Sequence, residues 1–329
     1  MSRQGKAKQR TPENVKDFWN QEAAEWGHNP QVTIRDHYFR LLELDAISRL
    51  IRGRRKVLDI GCGTGFSTLF YSQEVGEIIG ADYAQNMVAC ARRFLNDAAY
   101  FRHTIEHYAP NGAPRLRGNI RFEQANILDL PYPSAAFDAV VAERVLINLP
   151  ERDLQDRGVE QIARVLGPNG LCALAEVTKQ GHETVDRLRR MFALPIIEKY
   201  WHNLYVDEND FGAMARTIGF EIIEIRRFET FHFLTKIMHP LLVAPAEPEF
   251  LAGFNKAAWQ VSGEFPSYEA VAAVGLKTFL EYRFRPYLER LDPEKIADFD
   301  RVANTMIEAQ PDFTGCSHQV LYVLQRRGD

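Results

Sequence analysis

The sequence has little cysteine, no long apolar run and no excess of one charge. Its four cysteines, Cys62, Cys90, Cys172 and Cys316, are scattered and form no C-x-x-C pair. That argues against a zinc cluster and against a disulfide framework. No metal-ligand spacing occurs, so no metal is expected. No stretch approaches the roughly 18 consecutive apolar residues of a membrane span, so no membrane partner is expected. Residues 1–10 are polar and basic without an apolar core, so a secretory signal is not expected either. Lys and Arg number 40 against 44 Asp and Glu, a net charge of −4. Proteins that bind nucleic acid carry a basic excess, and no nucleic-acid partner is expected here. There is no internal repeat and no low-complexity tract. These absences together predict a cytoplasmic protein.

What is present is an ordinary globular composition, 46% hydrophobic and 26% charged over 329 residues. That length exceeds one domain of about 150 residues, so an insertion or second lobe is expected. Thr11-Pro12 reads as a cap and first turn, followed by a short amphipathic helix through Phe18, Trp19 and Trp26. A second helix is predicted from about Ile34 to Ile51. Short apolar segments then alternate with helical ones: strands at 56–60, 77–81, 119–124, 136–142, 171–177, 220–228 and 318–325, and helices at 66–74, 85–94, 154–165, 183–192 and 208–217. Residues 96–118, with two prolines and two glycines, read as a loop-rich insertion. The alternation predicts an α/β fold, a doubly wound parallel sheet with helices on both faces. Residues 229–317 break it and read as helices. The predicted organisation is an N-terminal helical segment at 1–54, a sheet domain at 55–231 and 317–329, and a helical insertion at 232–316.

The most informative string is Val57-Leu58-Asp59-Ile60-Gly61-Cys62-Gly63-Thr64-Gly65. An apolar strand enters a turn of three glycines and a helix follows. Glycines permit positive φ and close approach of a ligand, and the helix start offers free N–H groups. A dinucleotide fingerprint, G-x-G-x-x-G, would need glycine where Phe66 stands, which disfavours a nicotinamide dehydrogenase. Asp59 suits an ammonium group rather than a pyrophosphate.

This string resembles the first motif of the class I S-adenosylmethionine-dependent methyltransferases, and later landmarks follow in that family's order. Asp82 ends the second strand, Asn126-Ile127 follows the third, and Phe137-Asp138-Ala139-Val140-Val141 is similar to the fourth-strand motif. Ile162 to Gly170 is similar to the helix and turn before the fifth strand. The resemblance covers about residues 55–228 and 318–327 and implies a Rossmann-like sheet of seven strands, mostly parallel with the last antiparallel, the insertion preceding that last strand. It implies S-adenosylmethionine as cofactor and S-adenosylhomocysteine as product. It implies a cofactor site of Asp59, Gly61, Cys62, Gly63 and Gly65, with Asp82 on the ribose hydroxyls and Asn126 and Ile127 near the adenine; Tyr83 either stacks near the ribose or adenine or simply packs, and Glu143, at the carboxyl end of the fourth strand, is expected near the transferable methyl.

Ligands of open α/β sheets lie beyond the carboxyl ends of the strands. Glu143, Arg144 and Glu176 are there, and Asn148 stands where many relatives carry histidine. Glu143 and His202 are the candidate catalytic residues. Arg144, Asn148, Glu176, Tyr200, Trp201, His202 and Tyr205 are the candidate acceptor-binding residues, and His232 and His239 are further candidates for a base. Phe18 and Trp19 read as a cofactor lid or as a core stripe. The absence of an Asn/Asp-Pro-Pro-Tyr string after the fourth strand argues against methylation of a nucleobase amine. The expected reaction is transfer of a methyl group to oxygen or nitrogen of a small metabolite or sugar-like acceptor. An RNA or protein acceptor, or a non-catalytic cofactor-binding module, is the alternative. The insertion either covers the acceptor or forms a homodimer contact.

Overall fold

The computed structural model describes residues 9–27, 29–108, 118–242, 248–288 and 293–328. Seven strands form one sheet in the order β3-β2-β1-β4-β5-β7-β6. They are β1 (Lys56–Ile60), β2 (Glu77–Asp82), β3 (Ile120–Gln124), β4 (Phe137–Glu143), β5 (Leu166–Val177), β6 (Phe220–Arg227) and β7 (Gln319–Arg326). The pairings from β3 through β5 are parallel, and the last strands are antiparallel. The reversal of strand order between β1 and β4 opens a crevice at their carboxyl ends, the place where such sheets take ligands. The middle strands are apolar without alternation because helices cover both faces. Val57, Leu58, Val140, Val141, Cys172, Ala173 and Leu174 are completely buried. Asp138, at the start of β4, accepts hydrogen bonds from the Arg55 and Lys56 amides at 3.1 and 2.9 Å and so fixes the entry of β1.

Local capping explains most helix starts. Helix α1 (Pro12–Trp26) follows Thr11, whose hydroxyl accepts from the Asn14 amide. Helix α2 (His37–Ile51) begins three residues later than the apolar pattern predicts, because the Asp36 carboxylate caps it at the Phe39 amide. Helices α3 (Phe66–Tyr71) and α4 (Gln85–Asn96) follow β1 and β2. The expected loop after α4 is instead helix α5 (Ala98–Tyr108), started by Asp97, which accepts from the Tyr100 amide at 2.9 Å. The Phe94 ring tilts against Tyr100 with centroids 5.0 Å apart, fixing the α4–α5 junction. The proline- and glycine-bearing part of that predicted loop, 109–117, lies outside the described residues. Helices α6 (Arg152–Val165), α7 (Lys179–Met191) and α8 (Glu208–Ile218) complete the labelled set. Gly219, at φ +107°, stops α8 in the left-handed conformation.

The chain divides into two compact units. The first comprises Met1–Glu176, Lys199–Ile225 and Leu321–Asp329, and includes α1 and α2 with the sheet. The second comprises Val177–Glu198 and Arg226–Val320. The sequence places the insertion at 232–316; in the structure α7 groups with it. Within this second unit Glu229 to Leu242 is helical, with a π-turn at Phe233–Met238, and longer helices span Pro248–Glu264 and Pro293–Ala309. Its core is aromatic, with Phe231, Phe233, Phe254, Phe279 and Phe284 buried. No described helix is long and apolar enough to cross a membrane.

Candidate functional site

The glycine turn after β1 is held by geometry that side chains would break. Gly61, Gly63 and Gly65 have φ of +77°, +53° and +78°. A Cβ on Gly61 would stand 2.3 Å from Val145 Cγ2, and one on Gly63 would stand 2.7 Å from Thr33 Cγ2. The amides of Gly61 and Cys62 both donate to the Ala81 carbonyl, drawing the turn toward β2. The Gly63 amide donates to Asp82 Oδ2 at 2.9 Å, and the Ala84 amide to Oδ1 at 2.8 Å. A backbone bond from Tyr83 also reaches this carboxylate, which has about four acceptor directions and so keeps room for a ligand hydroxyl. Burial pushes the Asp82 carboxyl up to about 6, against the pull of these amides. Tyr83 carries the Lys16 ammonium 4.4 Å from its ring centre. Beside it lies an open polar cleft of about 550 Å³, formed by Lys16, Asp17 and Asn20 of α1 with Tyr83, Gln85 and Asn86. Asn126 Oδ1 accepts from the Leu128 amide at 3.0 Å, shaping its own turn, and Ile127 is buried next to it.

At the carboxyl ends of β1 and β4 lies a buried charge cluster that the sequence reading only partly anticipated. Asp59 is buried and accepts from the Thr68 hydroxyl at 2.5 Å. Burial, with Glu143 nearby, pushes its carboxyl up to about 8. Glu143 accepts from the Tyr71 hydroxyl at 2.7 Å and from Arg144 at 3.1 Å. Arg144 also reaches both oxygens of Glu43, at 2.6 and 2.8 Å. Burial drives Glu43 toward neutrality. It also opposes the charge on Arg144, but Glu43 and Glu143 outweigh it there. Two short charge-assisted bonds in a forked contact favour the ionised pair.

Arg40, Glu43 and Tyr71 were missed in the sequence. The available signal was two ionisable residues inside the apolar stripe of α2, where Phe39, Leu41, Leu44 and Ile47 are buried. Arg40 is 2% exposed. Its Nη2 donates to the Pro30 carbonyl and to Thr33 Oγ1. Its Nε and Nη1, and the buried hydroxyl of Thr64, meet no hydrogen-bond partner among the described residues. Burial, together with Arg144, lowers the pKa of Arg40 to about 10. A buried cation with unmet donors and a buried carboxyl pushed toward neutrality fit a zwitterionic ligand end, which brings an anion for the first and a cation for the second.

Other predicted acceptor residues are engaged inside the protein. The Glu176 carboxylate accepts from the amides of Val145, Leu146 and Ile147 at 2.8, 2.7 and 3.3 Å, clamping the loop after β4. Asn148 accepts from Trp19 Nε1 at 2.9 Å and donates to the Arg144 carbonyl at 2.7 Å. Trp19 thereby ties α1 to that loop. Phe18 stacks on His202 with ring centres 4.4 Å apart, and Trp19, Trp201 and Tyr200 complete an aromatic shell around the imidazole. The Leu204 amide donates to the Ile147 carbonyl at 2.7 Å, which brings this shell to the end of β4. Tyr205 is buried under the Lys199 ammonium. His232 and His239 lie in the second unit, where burial lowers them to about 3 and about 4. Such rings are weak bases at neutral pH, so neither is retained as a base.

Parts of the chain are similar to known proteins. Residues 58–174 match the family model described as a methyltransferase domain. The chain is 27% identical over 170 residues to a ubiquinone/menaquinone biosynthesis C-methyltransferase of Vibrio cholerae, a match covering 51% of this chain and 58% of that protein. A protein of the same description from a Shewanella species is 27% identical over 166 residues, covering 50% and 59%. The match thus spans less than two thirds of these relatives. Among solved structures, the YcgJ protein of Bacillus subtilis aligns over 87% of this chain and 98% of its own at 16% identity and a TM-score of 0.45. The family uses S-adenosylmethionine as its cofactor. In its glycine motif and strand order the chain is similar to the class I S-adenosylmethionine-dependent methyltransferases, and its residues 58–174 match a methyltransferase domain.

Proposed function

We propose that this chain transfers a methyl group from S-adenosylmethionine to an oxygen or nitrogen of a small-molecule acceptor. The observation that carries the reading is the left-handed glycine turn bonded to Asp82, with buried Asp59 and Arg40 close by. Asp82 would take the ribose hydroxyls. Tyr83, Asn126 and Ile127 would border the adenine, and the backbone from Gly61 through Cys62 and Gly63 to Gly65 would cradle the middle of the molecule. Asp59 and Glu143 would hold the ammonium and Arg40 the carboxylate. Bound there, the cofactor supplies a methyl already activated by its positive sulfur, with a neutral leaving group. The protein's task is then to aim the acceptor and exclude water, which supplies up to ~7–11 kcal/mol in ideal cases.

Acceptor recognition is assigned to the aromatic residues Trp19, Tyr200, Trp201 and Tyr205, with His202 taking the proton of a hydroxyl or ammonium acceptor. Arg144, Asn148 and Glu176 act by shaping the loop after β4. The helical unit is the addition to the shared core, and such additions carry specificity; a homodimer contact is the alternative role for it. A net charge of −4 favours a small acceptor over nucleic acid. A carbon acceptor is the second reading, because the relatives named above are C-methyltransferases.

The test is calorimetric titration with S-adenosylmethionine, with NADH as control ligand and Asp82→Ala as control variant. Micromolar binding that the variant loses by tenfold or more supports the reading; binding of NADH alone overturns it. Acceptor screening followed by NMR of the methylated product then separates attachment at oxygen, nitrogen and carbon.

A further inference from the structure

Arg144 is the first residue after β4, and its φ is +56°. Side chains other than glycine seldom occupy this left-handed region, and where they do the surroundings must hold them there. Here the Arg144 amide donates to the Ala175 carbonyl at 2.7 Å, and its guanidinium bridges two carboxylates on different elements. One is Glu143, the last residue of β4. The other is Glu43, in the middle of α2, whose side chain has no exposure at all. Glu143 is thus held at both oxygens, by Tyr71 on one and by Arg144 on the other.

We propose that Glu43 is a positioning residue for the cofactor site: it anchors Arg144, and through Arg144 it aims the carboxylate of Glu143. The inference rests on the reading of Glu143 as an anchor for the ammonium of the cofactor. Glu43 precedes the matched methyltransferase segment, so α2 contributes a working part to a site otherwise built from that segment. Arg40 and Glu43 are one turn apart on α2 and both are buried, so α2 brings a cation and an anion to the same end of the sheet. The charged and titratable groups that bear on Glu43 are Arg144 and Glu143 from the end of β4, Tyr71 from α3 and Arg40 from α2 itself. Without Glu43, Arg144 has a single carboxylate left and turns wholly onto Glu143, which moves Glu143 from its aimed position. Glu43 itself touches no reacting atom.

The test is a double-mutant cycle on the full chain, read as S-adenosylmethionine affinity by calorimetry, with thermal unfolding measured alongside. Glu43→Gln is expected to weaken binding at least tenfold, and Glu143→Gln likewise. In the Glu143→Gln background, Glu43→Gln is expected to cost less than twofold more, because both act through one carboxylate. Independent, additive losses, or unchanged affinity in a folded Glu43→Gln protein, overturn the inference. Unchanged affinity in Glu143→Gln alone would instead sink the reading of Glu143 on which it rests. If Glu43→Gln does not fold, Glu43→Asp replaces it in the cycle. That variant keeps the charge but shortens the reach to Arg144, and the same non-additivity is required of it.

Discussion

At Gly61 the fold leaves no room for a methyl group. A Cβ there would meet Val145 Cγ2 at 2.3 Å, and the φ of +77° disfavours any side chain. Gly61→Ala is expected to lower stability by ~1–3 kcal/mol and to weaken cofactor binding at least tenfold. Chemical denaturation and calorimetry would show both. Asp59 gives a prediction of another kind. With its carboxyl raised to about 8 against 3.8 unfolded, the unliganded fold holds a proton there at pH 7. That site therefore favours the fold at low pH and loses its contribution as pH rises toward 8. An ammonium brought beside Asp59 draws the proton off. Titration with S-adenosylmethionine at pH 7 should release protons, seen as binding heats that scale with the ionisation enthalpy of the buffer. Asp59→Asn should abolish the scaling, and heats independent of buffer in the parent protein would refute the assignment. The glycine turn was legible because it is local: strand, glycines and helix are consecutive. The charge cluster was not. Arg144 and Glu43 are 101 residues apart, and nothing in either neighbourhood announces the partner.

The loop after β4 is shaped by elements distant in sequence. Glu176 at the end of β5 gives its carboxylate to three successive amides, and Trp19 of α1 reaches Asn148. Reading Glu176 as an acceptor-facing group was reasonable from its strand-end position, but three unpaired N–H groups at 145–147 claim it first. Glu176→Ala leaves those amides buried without acceptors, and a loss of ~3 kcal/mol in unfolding free energy is expected from the donors left unsatisfied. Thr11→Ala removes only a helix cap and should cost ~1 kcal/mol. A Glu176→Ala loss no larger than the Thr11→Ala loss would show that the clamp is dispensable. Elements were read best where capping and apolar spacing agreed, as for α1 and α8. They were read worst where a cap overrode the pattern. Asp36 delays α2, and Asp97 starts α5 in a stretch whose downstream prolines and glycines suggested a loop.

For the molecule as a whole, alternating strands and helices announced the sheet, but membership of the second unit needed three dimensions. The chain crosses between units at 176/177, 198/199, 225/226 and 320/321, so residues far apart in sequence, such as His182 and His318, come into contact. In the same unit, His232 places Nδ1 3.0 Å from the Phe228 carbonyl and Nε2 2.8 Å from the Gln319 amide, and His239 is buried near Phe254. Burial first, and Lys236 second, hold both rings neutral, with values of about 3 and about 4 against 6.5 for an ordinary histidine. Between those values and 6.5 the unfolded chain binds protons that the fold refuses, so stability falls as pH drops below 6.5 and these two rings have no pH effect above it. Each ring contributes a slope of ~1.4 kcal/mol per pH unit in that window. Asp59 and Glu176, both raised to about 8, act with the opposite sign and cancel that slope over much of the window, so the histidine share is read as the difference between variant and parent. The two effects separate by mutation: His232→Gln should remove one histidine's share of the acid slope while leaving the alkaline side unchanged. Denaturant titrations from pH 4 to pH 8 measure it. An acid slope identical in the variant and the parent would mean that His232 accepts its proton within the fold, in conflict with its burial.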